Sequence, residues 1–378
     1  MRREEIELLE KPYGDALSNE VNFFDKIIGA SLPSANKLAK EILNDLDHTT
    51  FGVRWWSVLP TQERILIGDY LYQCCNGIEL NLAEAKLHYF EWLDAREQRN
   101  NQIADGIVID RHGVRFKHPT SQSAKDDLPE RTEKLHLGGF FRAIGSSLDC
   151  LGAMIVGVLG LKMSLRRADL RASQKALREI SLSNDIGIQL QLRFFQFLQD
   201  LEKAVGPDDW LEWTSQCRNM LVHRGRRSSS FDVVPKENLL FDARGRIIPR
   251  ATSKMHLARY PDRSEIEALV RTKATWLNED AESTLDGVFL SCQKFEERTC
   301  EELCSIWDSR RKNPSLIEQP LQQWNAKIQS TSFRGYITSA QPFTSDTLTV
   351  NPSFRHRILA AAVDDAHRGL WNGSQWAQ

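Results

Sequence analysis

Between positions 141 and 158 the apolar residues Phe141, Ile144, Leu148, Leu151, Ile155 and Val158 recur at spacings of three, four and seven, while Arg142, Ser146 and Asp149 fall off that stripe. A 3.6-residue period sustained this long specifies one amphipathic helix, which must bury its apolar face against other helices. The longest apolar run, residues 151–161, is too short to span a bilayer, for which about 18 or more apolar residues are needed. A mainly all-α fold, a helical bundle, is therefore expected.

The same period recurs elsewhere. Phe23, Phe24, Ile27 and Ile28 lead into Leu38, Ile42, Leu43 and Leu46, and two further helical segments are expected around Tyr70 and over residues 82–93. After Asn101 the period changes, and residues 106–118 read as a β-hairpin turning on Asp110 to Gly113. Residues 119–130 are polar and read as a linker. Residues 186–192 alternate like a strand, but Phe194, Phe195, Leu198, Leu201 and Val205 continue at helical spacing, so the whole segment is assigned to helix. Gly206-Pro207 ends it, and Asp209 with Glu212 offers a capping-box start for the next helix. A second hairpin is expected over residues 239–248. Ser264 and Glu267 then open one long helix or two shorter ones, through Leu285, Phe289, Cys292, Leu303 and Ile306. The expected organisation is an N-terminal helical domain with a terminal hairpin (1–118), a helical bundle (133–310) and a C-terminal extension (311–378).

Charge and cysteine content narrow the function classes. The net charge of −2 argues against wholesale coating of nucleic acid, so any such contact must come from a local basic patch. The start of the chain is charged with no apolar core behind it, unlike a secretory signal. Seven cysteines without a CxxC pair fit a reduced, cytoplasmic setting. Cys300 and Cys304 share a helix face, but no matching ligand pair follows. No metal and no cofactor is expected, and no Walker, GxGxxG, HExxH or GxSxG pattern is present.

The chemistry concentrates in Arg218-Asn219-Met220-Leu221-Val222-His223, followed by Arg224-Gly225. An arginine can hold a phosphate, an imidazole can move protons and a carboxamide can position the substrate, so this trio suits metal-free RNA cleavage. The bare spacing is not specific: Arg131 to His136 and Arg250 to His256 repeat it. Only at Arg218 does asparagine follow the arginine, does the run lie in a delimited amphipathic helix, and does glycine follow to end it. At about 100° per residue, Trp210, Trp213, Cys217, Met220 and Leu221 form the expected core face. Arg218, Asn219, Val222 and His223 then point away from the bundle, where a second protomer could complete the site. Between residues 218 and 250 there are seven arginines and one lysine against three acidic residues. Arg224, Arg226 and Arg227 form a basic loop suited to RNA phosphates. A second patch is Lys162, Arg166, Arg167 and Arg171, which a solvated face explains as well.

The Arg218–His223 run resembles the R-[polar]-x(3)-H motif of the HEPN superfamily, many of whose members are endoribonucleases. The resemblance covers about residues 133–310. It implies a helical bundle carrying the motif on an internal helix, with a composite site across a homodimer. It also implies a toxin–antitoxin or antiviral role, with an antitoxin among possible partners. Residues 1–105 and the two hairpins depart from the family pattern. The competing expectation is a non-catalytic helical module binding a nucleotide, RNA or a partner protein, with Arg218 and His223 as binding or surface residues.

Overall fold

The computed structural model describes residues 31–47, 52–53, 55, 61–105, 107–110, 113–116, 128–223, 230–233, 239–241, 247–249, 252–255, 277 and 279–318. These residues are mainly α-helical. The helices are α1 (Pro33–Asp45), α2 (Thr61–Asp105), α3 (Leu128–Val158), α4 (Leu170–Arg178), α5 (Ile186–Val205), α6 (Trp210–His223) and α7 (Ala281–Lys312). Short antiparallel strand pairs accompany them. Strand β1 (Leu46–Asp47) pairs with β2 (Gly52–Val53), and β3 (Ile107–Asp110) with β4 (Gly113–Phe116). Strand β5 (Ser230–Val233) pairs with β8 (Thr252–Met255), and β6 (Leu239–Phe241) with β7 (Ile247–Pro249). The expected helical runs at 23–28 and 264–276 lie outside the described residues, as does the expected linker up to residue 127; its last three residues, 128–130, instead open α3.

The two segments expected around Tyr70 and over 82–93 are one helix, α2, which continues past Asn101 to Asp105. The reason is in the side chains: Ile67, Leu71, Cys74, Cys75, Ile78, Leu82 and Ala85 keep the three–four spacing through Gly77, and all are buried. The α3 stripe is likewise buried along its whole length, from Phe141 to Val158. Among the described residues α3 is the one helix long and apolar enough to cross a bilayer, and most of it is buried inside the protein. Residues 186–192 are helical, and Asp185 caps α5 by accepting from the Ile188 amide at 2.9 Å.

The chain forms two compact units that interleave along the sequence. The first draws on Gly77–Asp149 and Gln196–Thr299. Its core is aromatic: Phe141 meets Phe140 edge-on at 5.2 Å and Trp213 at 5.9 Å, and Trp210 meets Phe295 at 6.1 Å. Ser147 donates to the Ile78 carbonyl at 3.0 Å, and Ser291 to that of Val205 at 2.9 Å. The turn into α6 is closed by Trp210, whose indole N–H donates to the Glu202 carbonyl at 3.0 Å while its ring covers Gly206. Asp209 takes the left-handed conformation, φ 61°, to make that turn.

The second unit draws on Ser34–Asn76, Cys150–Phe195 and the chain from Cys300. Asp45 at the end of α1 accepts from Trp307 Nε1 at 2.8 Å, Arg311 Nε at 2.9 Å and Trp55 Nε1 at 3.3 Å. Helix α3 ends in a left-handed Gly160, φ 58°, with the Leu161 amide reaching back to the Val156 carbonyl at 3.0 Å. Its last carbonyls are met by Arg310, 1% exposed, which donates to Gly157 O, Val158 O and Ile317 O and lies 5.3 Å from the Trp55 ring. Burial lowers the proton affinity of this guanidinium, to a pKa of about 9. That is still above neutrality, so Arg310 is charged and its N–H groups satisfy carbonyls that a helix end leaves open.

Candidate functional site

All three residues expected to do chemistry lie on α6, within the first unit. Leu211, Thr214, Cys217 and Leu221 are buried and recur at three–four spacing, and Trp210 joins them. The packed face is thus centred near Thr214 and Leu221, rotated from the face expected through Trp213 and Met220. Because a helix advances about 100° per residue, Arg218 lies roughly 50° from the centre of that face. It does not point away from the bundle. This corrects the outward placement of Arg218: α6 packs on the flank of Leu211 and Thr214, which lays Arg218 against α3 at Gly145.

Arg218 is laid across α3 at Gly145. A Cβ built on Gly145 would sit 2.8 Å from Arg218 Cγ and 2.9 Å from its Nε, so only glycine leaves room for the side chain there. The guanidinium donates through NH2 to Asp149 Oδ2 at 3.0 Å and through NH1 to Asn219 Oδ1 at 3.2 Å. The ion pair is part-exposed, 29% for Arg218 and 41% for Asp149. Its Nε is buried without a hydrogen-bond partner. Two of the five guanidinium N–H groups are committed, which fixes the plane of the group and leaves donors over for an anion. In the sequence Asp149 shows only as a residue off the apolar stripe. It stands 69 residues from Arg218, and no local spacing links them.

His223 is the last residue of α6. The side chains of Val222 and His223, and the basic loop of Arg224, Arg226 and Arg227, lie outside the described residues. In the second expected patch, Lys162, Arg167 and Arg171 are exposed.

A second cluster in the same unit was not anticipated. His88 on α2 and His136 on α3 meet Nδ1 to Nδ1 at 2.9 Å, with ring centroids 5.2 Å apart and planes inclined by 52°. That centroid spacing is what the nitrogen contact plus two ring radii amount to, so the two lone-pair directions face each other. The contact is an N–H···N hydrogen bond: one ring donates and the other accepts. Glu84 Oε1 lies 3.6 Å from His88 Nε2, favouring a proton there and the acceptor role for Nδ1. Burial, then the charges of His136 and Arg142, lower the proton affinity of His88, against the opposing pull of Glu84. A Cβ at Gly139 would run into the His88 ring. Two of the glycines of α3, Gly139 and Gly145, thus make room for the His88 and Arg218 side chains from neighbouring helices.

None of the seven cysteines is in a disulfide, and all but Cys150 are buried. Burial pushes the thiols of Cys75, Cys217 and Cys292 up, which keeps them protonated and poor nucleophiles. Cys300 and Cys304 are both buried on α7, and Cys304 donates to the Ser34 carbonyl at 3.5 Å.

No protein-family model matches the chain, and neither a curated protein nor a solved structure resembles it significantly.

Proposed function

We propose that this chain is a metal-independent endoribonuclease of HEPN type that acts as a homodimer. The observation that carries the reading is the anchored arginine. Arg218 is held against α3 by Asp149 and Asn219, on the helix that ends in His223. An oriented guanidinium preceding a helix-terminal imidazole is the pairing that phosphodiester transesterification needs.

In the proposed step the RNA 2′-hydroxyl attacks the adjacent phosphorus and the bond to the 5′-oxygen breaks. The products are a 2′,3′-cyclic phosphate and a 5′-hydroxyl. Arg218 stabilises the charge on the phosphorane, and Asn219 orients the phosphate or His223. His223 accepts the 2′-hydroxyl proton or donates one to the leaving oxygen. Asp149 is a positioning residue, acting through Arg218. Arg224, Arg226 and Arg227 add sequence-independent grip on the strand. The basic loop and Val222 are the elements a second protomer would cover, and the resemblance extends the reading to toxin–antitoxin or antiviral defence in the cytoplasm.

The test is cleavage of total RNA by wild type and by the Arg218→Ala, His223→Ala double variant, with product ends identified. RNA should be cut in the presence of EDTA and DNA left intact, and the double variant should lose activity by about a hundredfold or more. Val222→Glu should give a folded but inactive monomer by sedimentation. Cleavage at wild-type level by the double variant would refute the assignment. RNA binding without cleavage would favour the non-catalytic module instead.

A further inference from the structure

We propose that Arg142 is a second phosphate ligand, holding the phosphodiester next to the one at Arg218, beside the His88–His136 pair; this rests on the ribonuclease reading above.

The placement comes from α3. Gly139, Arg142, Gly145, Ser146 and Asp149 fall within about 120° of the helix circumference at 100° per residue. His88 crosses this strip at Gly139 and Arg218 crosses it at Gly145. Arg142 is rooted between the two crossings and is exposed. One helical turn separates Arg142 from Gly145, about 4.5 Å of rise. Arg142, rooted on α3 one turn before the point where the Arg218 side chain crosses from α6, can reach for the phosphate that follows the one at Arg218. The Ser146 hydroxyl on the same strip donates to the Arg142 carbonyl at 2.9 Å. Arg218 is already engaged by Asp149, whereas among the described residues Arg142 forms no ion pair, so its whole guanidinium fork can face an anion.

The histidine pair gives this subsite a signature that a solvated arginine would lack. The charged groups facing His88 are Glu84 on α2 and Arg142 on α3, with His136 bonded to it. Arg142 is among the causes that hold the His88 proton off. A phosphate seated on Arg142 offsets that charge, so His88 gains a proton as the strand binds. By linkage, affinity must then rise as pH falls. A proton added at His88 Nδ1 takes the place of the one His136 donates, and His136 carries its own proton on Nε2 instead, so the N–H···N bond is kept with its direction reversed.

The experiment measures binding of a fluorescein-labelled 2′-O-methyl oligoribonucleotide, which lacks the attacking hydroxyl, by anisotropy at several salt concentrations and at about pH 8 and pH 6. Wild-type cleavage of ordinary RNA is measured beside it. Arg142→Ala should weaken binding by roughly tenfold and reduce the slope of log affinity against log salt by about one. In cleavage its loss should fall on KM rather than kcat, and Arg142→Lys should restore part of it. The gain in affinity between pH 8 and pH 6 should disappear in His88→Gln. If wild type cleaves RNA while Arg142→Ala keeps its affinity, salt slope and KM, the subsite is overturned and the ribonuclease reading stands. If wild type neither binds nor cuts RNA, both fall. Arg142-dependent binding of inorganic phosphate without binding of the oligonucleotide would reassign the site to a free anion and overturn the strand path.

Discussion

Gly145→Ala separates the placement of Arg218 from the stability of the fold. The new methyl would lie 2.8 Å from Cγ and 3.2 Å from Cδ of Arg218, inside van der Waals contact. These atoms belong to the stem of the side chain, so relieving the clash swings the whole guanidinium away from Asp149. The loss of the ion pair costs at most about 1 kcal/mol, because both partners are part-exposed. Alanine in place of glycine inside a helix contributes about 1 kcal/mol in the opposite direction. The two nearly cancel, so the melting temperature should move by no more than a few degrees. Activity should not be spared: misplacing a charge-stabilising group by about 1 Å can cost on the order of a hundredfold. Gly138→Ala is the control, since a Cβ there meets nothing within 4 Å; it should be stabilising by about 0.5–1 kcal/mol with cleavage intact. Thermal melts and RNA cleavage rates of the two variants decide the matter. Wild-type cleavage by Gly145→Ala would refute the role given to the Arg218–Asp149 geometry. A fall in melting temperature beyond about 10 °C would show that Arg218 cannot yield, and would refute the energetic reasoning.

Two more expectations follow from the side chains described. Arg310→Met should destabilise the protein by about 3 kcal/mol or more in urea titration, because three carbonyls lose their donor in a buried place; a loss under about 1 kcal/mol would contradict the capping role. Burial holds the proton affinity of His88 below the usual imidazole value of 6.5, so the stability tied to its neutral form is present above about pH 6.5 and lost as pH falls through the lowered folded-state value. Melting temperatures at about pH 7.5 and 5.5 should therefore differ more for wild type than for His88→Gln, and equal differences would exclude the histidine pair as the cause.

What could be read from the sequence was whatever has a local period. The Phe141–Val158 stripe fixed α3 and its buried face, and the spacing after Phe194 outweighed the strand-like alternation before it. The end of the motif helix near His223 followed from the same logic. The roll of α6 was not legible, because Trp213 and Met220 are as apolar as the residues that are buried. Only the partner surface decides which of two adjoining stripes is covered. Asp149 and Gly145 carry no mark of Arg218 in their own surroundings. His88 and His136 each read as a lone histidine, the latter closing a chance repeat of the motif spacing with Arg131. Contacts between residues dozens of positions apart leave no periodic trace, and the interleaved units escape an end-to-end reading for the same reason.

The guanidinium of Arg310 gives the carboxyl end of α3 an unusual dependence. A helix end normally frays one peptide at a time, and its amides exchange with solvent fastest. Here the Gly157 and Val158 carbonyls are tied to the last turn of α7, some 150 residues on. The turn cannot loosen unless Arg310 withdraws, taking its contact with Trp55 along. The amides of Leu159 and Leu161, bonded to Ile155 and Val156, should then exchange in step with those of α7 rather than ahead of them, as one cooperative opening. A deuterium label at this helix end would time the undocking of the other.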